Sequence, residues 1–185
     1  MKTTIAIIGC IVLFGFPISG FAQNNAPENT TKNTAAPKLE FICELTVSIG
    51  KAQQVGETGT GTRRIIPILG GTFKGSQMQG AILPGGADWQ LVTKDGIAYV
   101  DARYTLQTED STLIYISNKG IRVASEEVLK KISNGEVVDP DAYYFRTVPV
   151  FETTKGRYEW LMKSVFIAKG IRNPNNVIIQ VWRVE

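Results

Sequence analysis

The 185-residue sequence contains no histidine, and only one of its two cysteines, Cys43, lies beyond the first apolar stretch. Without an imidazole there is no Ser-His-Asp or Cys-His nucleophile, no His-bearing zinc site and no ordinary near-neutral base. No metal or cofactor is expected, and the chemistry left open is that of carboxylates, tyrosines, arginines and lysines. Charge of one sign is scarce as well: 20 lysines and arginines against 17 aspartates and glutamates leave +3. No basic stripe argues for nucleic acid or an anionic membrane. A second long apolar run is also missing, so no membrane insertion is expected once the first one is removed.

That first run has the layout of an export signal: Lys2, an apolar stretch over 5–16, then Gly20 and Ala22 as small residues before a polar segment. Cleavage is expected after Ala22, giving a signal peptide over 1–22 and a periplasmic or secreted product. Ile7-Ile8-Gly9-Cys10 has a lipobox shape, but it sits too early in the apolar run. Removal of Cys10 leaves Cys43 with no internal disulfide partner, so the fold must be held by its core. Cys43 lies on the apolar face of an alternating segment and reads as a buried, inert thiol. Residues 23–38, rich in Asn, Thr, Ala and Pro without periodicity, read as a disordered tether.

From Leu39 onward the hydrophobic period is two. Strands are predicted over 39–49, 63–69, 72–83, 89–93, 97–107, 112–118, 121–124, 142–152, 159–171 and 177–184, separated by turn chemistry such as Gly70-Gly71, Pro84-Gly85-Gly86 and Asn118-Lys119-Gly120. A single short helix is predicted after a Ser125 cap. Val128, Leu129 and Ile132 share one of its faces, and Asn134-Gly135 stops it. One helix cannot cover so many strands. The expected fold is therefore all-β: an antiparallel up-and-down barrel of eight to ten strands over 39–185, with a sandwich as the other arrangement. A barrel of that size has an interior, expected to hold aromatic side chains or a ligand.

Three clusters carry the candidate chemistry. The glycine pair in Leu83-Pro84-Gly85-Gly86-Ala87-Asp88-Trp89-Gln90 delivers Asp88 as a rim carboxylate and Trp89 as a pocket wall, or else forms a tight hairpin whose Asp88 caps loop amides. In the segment over 97–106, Asp101 and Arg103 share one face and Val100, Ala102 and Tyr104 the other. Inward, the charged pair serves an anionic ligand; outward, it is a surface ion pair and Tyr104 becomes the inward polar tip. Tyr144, Arg146 and Glu152 share a parity opposite Tyr143, Phe145 and Phe151, with Pro149 expected to break the alternation or mark a bulge. Trp160 belongs to an apolar stripe with Tyr158, Met162 and Phe166.

The LPGGADWQ run, followed by Asp101-Ala102-Arg103-Tyr104 and then Tyr143-Tyr144-Phe145-Arg146-Thr147, resembles the bacterial and fungal family of domain of unknown function 3237 over 39–184. The resemblance implies a compact antiparallel β-barrel and no particular chemistry. Two readings of function follow from the residues. The first is an exported barrel that binds a small aromatic or cyclic molecule in an aromatic-lined lumen. The second is a cofactor-independent lyase, isomerase or hydrolase in the same cavity, with Asp88, Asp101 or Glu152 as base and Arg103, Arg146 and a tyrosine in support. A purely structural barrel with a filled interior is the third possibility.

Overall fold

A computed structural model describes residues 35–185. The expected signal peptide over 1–22, and residues 23–34 of the tether expected over 23–38, lie outside the described residues; 35–38 carry no regular secondary structure. Ten strands follow: β1 (Leu39–Ile49), β2 (Gln53–Thr58), β3 (Gly61–Gly75), β4 (Gln79–Ile82), β5 (Ala87–Val92), β6 (Ala98–Thr108), β7 (Leu113–Val123), β8 (Tyr144–Thr153), β9 (Phe166–Arg172) and β10 (Asn176–Val184). One helix, α1 (Glu126–Ser133), interrupts them.

Every pairing is antiparallel, and the sheet closes on itself. The ring runs β1, β10, β9, β8, β7, β6, then β4 and β5 in succession, then β3, which pairs back with β1. β4 and β5 fill one position of an eight-stranded barrel: β4 lies beside the second half of β3 and β5 beside the first, and both face β6. The Leu83-Pro84-Gly85-Gly86 segment between them stays hydrogen-bonded to both neighbours: Ile68 N–H donates to Gly86 O at 2.9 Å, and Leu83 N–H donates to Thr105 O at 2.9 Å. It is a jog within one barrel position and not a hairpin. β2 continues the path of β1 along the first half of β3 and has no partner on its other side among the described strands. The ring is therefore incomplete between β2 and β10, and the barrel opens at that end.

Several predicted breaks are absent. Gly70-Gly71 lies inside the 15-residue β3, and Asn118-Lys119-Gly120 lies inside β7. Pro149 keeps both the register of β7 with β8 and the burial alternation. It sits beyond Arg146 and Thr147, the residues at which β8 pairs with β9, where a missing N–H costs little. The strand predicted over 159–171 begins only at Phe166, because Glu159–Lys163 forms a 3-10 turn closed by a Lys163 to Glu159 ion pair of 2.9 Å. β2 was not expected from the glycine-rich sequence around it.

The interior has two unequal halves. One end is packed solid by Leu45, Phe73, Leu106, Ile116, Phe151 and Phe166, all 2 % exposed or less, with Phe151 and Phe166 edge to face at 5.0 Å. Buried apolar surface of this extent is the main source of stability in a chain whose buried Cys43 is unpaired. At the other end α1 docks through Val128 and Ile132 onto Val100, Val138, Tyr143 and Phe145. Its Ser125 cap accepts a hydrogen bond from Val128 N at 3.3 Å, and Gly135 follows with φ of 78°, as the sequence implied.

Candidate functional site

Period-two alternation dictates what faces inward, and at the open end it sends polar groups there. Asp88 and Gln90 come from β5, Val100, Ala102 and Tyr104 from β6, Asn118 and Arg122 from β7, and Phe145 and Thr147 from β8. Asp88, Ala102 and Asn118 are successive partners across β5, β6 and β7, so the small Ala102 leaves space between a carboxylate and a carboxamide. These residues line an inner cavity of roughly 50 Å³. That is room for a few waters or one functional group, since a water needs about 10–15 Å³ on this measure. Above it lies an outer chamber of about 640 Å³ walled by Arg64, Ile66, Arg122, Leu129, Ile132 and Arg172. The two spaces share Ile66, Arg122 and Arg172.

Asp88 is held at both oxygens. Oδ1 accepts from the backbone N–H of Asp101 at 2.9 Å, and Oδ2 accepts from Gln90 Nε2 at 3.0 Å. Gln90 is fixed in turn by Arg64, whose Nε donates to Gln90 Oε1 at 2.7 Å. Burial pushes the Asp88 carboxyl above its usual value, against the pull of these two donors and of Arg122 and Arg64. Arg122 is 3 % exposed, and burial with Arg64 and Arg172 nearby pulls it down to about 10, so it stays a cation at neutral pH. Arg64 and Arg172 are lowered first by burial as well.

Four side-chain atoms at this cavity are buried without a hydrogen-bond partner: Tyr104 Oη, Asn118 Oδ1, Arg122 Nε and Thr147 Oγ1. Each such group costs about 1–3 kcal/mol unless something satisfies it. Burial also pushes the Tyr104 phenol up, so it remains a neutral donor. Only Tyr104 and Phe145 are aromatic among the cavity-lining residues; the rest of its apolar wall is aliphatic.

Of the sequence candidates, Asp88 and Tyr104 reach the cavity. The others lie elsewhere. Trp89, 40 % exposed, is on the outer face of β5 because its neighbours Asp88 and Gln90 point in. Asp101 and Arg103 form an outer-face ion pair at 3.1 Å, with Lys119 3.6 Å from Asp101. Tyr144, Arg146 and Glu152 occupy the exposed parity of β8, with Arg146 stacked on the Tyr144 ring at 5.1 Å. Trp160 packs on Phe166 at 6.0 Å in the filled half. The residues the sequence reading passed over are Arg64, Gln90, Asn118, Arg122, Thr147 and Arg172.

A direct consequence can be measured. Asp101→Ala and Arg103→Ala are expected to leave the thermal midpoint and any ligand affinity unchanged, because the pair is solvent-screened and the contact to Asp88 is made by the Asp101 backbone. A loss of affinity in either variant would place the working face on the outside of the barrel.

The family model described as "Protein of unknown function (DUF3237)" matches residues 37–184. The chain belongs to this family. A DUF3237 relative, a UPF0311 protein of Rhodopseudomonas palustris, is 43% identical over 150 residues, covering 80% of this chain and 98% of the relative. A crystal structure of a conserved protein of unknown function from the same organism covers 82% of this chain and 100% of its own at 41% identity, with a TM-score of 0.80. A β-barrel-like protein from Acinetobacter baumannii, 40% identical, covers 83% and 99% with a TM-score of 0.73. The DUF3237 barrel is thus the shared fold, and no chemistry comes with it.

Proposed function

We propose that this DUF3237 protein is an exported receptor for a small organic anion, which it holds by one end in the mouth of the barrel. The observation that carries this reading is the convergence of Arg64, Arg122 and Arg172 on the chamber, with Asp88 as the carboxylate of the inner cavity and unpaired polar atoms below. Arginine forks suit a carboxylate or a similarly planar anion. The inner cavity accepts only the anionic or carbonyl end of such a molecule. Its body, aromatic or cyclic, lies in the outer chamber against Ile66, Leu129 and Ile132. Export rests on the Lys2 to Ala22 pattern.

Native mass spectrometry of the protein purified from its own host, before and after denaturation, tests the proposal. An organic acid released on denaturation is the expected result, together with an amino terminus at Gln23 in the periplasmic or secreted fraction. An empty protein that also fails to bind simple aromatic carboxylates in calorimetry would overturn it.

A further inference from the structure

We infer that Asp88 moves a proton to and from a carbon of the bound anion, which makes the cavity the site of an enolisation or 1,3-proton shift beside a carbonyl. This rests on the anion-binding reading above and goes beyond it, since a receptor needs no base.

The composition of the inner cavity selects this chemistry. Its lining holds one carboxylate and no lysine, cysteine or serine. Covalent catalysis through an activated nucleophile therefore lacks its usual parts, and glycosidic cleavage lacks its second carboxylate. What is present is a single base facing a cation. Asp88 is held by the Asp101 N–H and by Gln90, and it lines the cavity together with Asn118, two strands away in the same register row. Arg122 Nε has no partner in the protein and lines the same cavity, so it is available to an oxygen on which charge develops, and the neutral Tyr104 phenol, beside Asn118, lines that cavity as well.

The step balances without any further reagent. Asp88 takes the proton, the C–H bond breaks, and its electron pair becomes the C=C bond of an enolate. The carbonyl π pair moves to oxygen, beside Arg122. Return of the proton from Asp88 to the same carbon regenerates the substrate, and delivery to a carbon two positions along a conjugated chain gives an isomer. Nothing is oxidised or reduced. The substrate class is a 2-oxo acid or a related carbonyl-bearing anion: a carboxylate for Arg172 and for the Nη1 that Arg64 does not spend on Gln90, and an enolisable carbonyl for Arg122.

The test uses phenylpyruvate and 2-oxobutyrate in D2O, following loss of the C3 proton signals by NMR and binding by calorimetry in parallel. The wild-type protein should exchange these protons. Asp88→Asn should bind but exchange at least about 100-fold more slowly, the scale of a lost general base. The wild-type rate should rise with pH through one ionisation above the ordinary carboxylate range and then level off, because only the deprotonated base is active. Should Asp88→Asn fail to fold, that profile decides alone, and a rate independent of pH overturns the inference. Binding without exchange overturns it while leaving the receptor standing. Absence of both binding and exchange overturns the receptor reading too.

Discussion

Replacing Arg122 by leucine is expected to weaken capture of an organic anion by about 100-fold or more while raising the melting temperature of the empty barrel. The first effect follows from position: Arg122 borders both the inner cavity and the outer chamber and offers an unpartnered Nε. Truncating one side of a buried charged hydrogen bond costs a complex about 2–5 kcal/mol. The second effect follows from what Arg122 endures without a ligand. It is a buried cation with two other arginines nearby, and a shorter apolar side chain relieves both desolvation and repulsion, a gain of about 1 kcal/mol. A folded protein that gains stability as it loses its ligand carries a functional residue. A fall in melting temperature with unchanged affinity would make Arg122 a structural strut. Arg122→Lys should keep the charge but lose the fork, and so recover only part of the affinity.

Asp88 gives the same substitution a pH signature. Its carboxyl is raised in the folded state, so the folded protein binds this proton more tightly than the unfolded chain does. The stabilisation from this group is fully present below the unfolded carboxylate value, is lost as pH rises through the folded value, and is constant above it. Removing Arg122 removes one of the cations that hold the value down, so that window should extend to higher pH in Arg122→Leu.

The barrel was legible because alternation is a local signal that survives in almost every strand. The burial pattern of β8 alternates without a break from Tyr144 to Glu152, so the parity that set Phe145 and Phe151 opposite Tyr144, Arg146 and Glu152 holds across Pro149, and of the two alternatives for β6 the one with Tyr104 as the inward polar tip is observed. The site was less legible because turn chemistry overrode parity. Reading Asn118-Lys119-Gly120 as a turn cut β7 in two and reset the count. Carried through from Ile114 and Ile116, the same alternation lands on Asn118 and Arg122, and with them on the cavity. Tyr144, Arg146 and Glu152 drew attention through their chemistry, although their parity already opposed the buried Phe145. Arg64 and Arg172 gave no local sign, because only barrel closure brings the ends of β3 and β9 to one mouth.

Gly71→Ala is expected to cost the fold roughly 4 kcal/mol or more, close to complete unfolding for a domain of ordinary stability. Gly71 sits mid-strand in β3 with φ of 141°, between Val47 of β1 and Ile82 of β4. A Cβ there would stand 2.0 Å from the backbone oxygen of Thr46 and 3.3 Å from the Ile82 side chain. The offending atom is main chain, so it cannot step aside without parting β1 from β3, the pair that closes the barrel. Gly85 separates the two sources of cost. Its φ of 104° is as unfavourable for alanine, but nothing lies within 4 Å of the new methyl group, so Gly85→Ala should lose only about 1–2 kcal/mol of backbone strain. Urea unfolding of the two variants side by side measures the difference, and equal losses would mean that β1 and β3 can relax at the seam. The seam also bounds the site, because Val47 and Ile68 line the cavity on either side of it. A Gly71→Ala protein that stays folded in part should therefore lose ligand before it loses strand content, since the wall that opens first is the one the ligand needs closed.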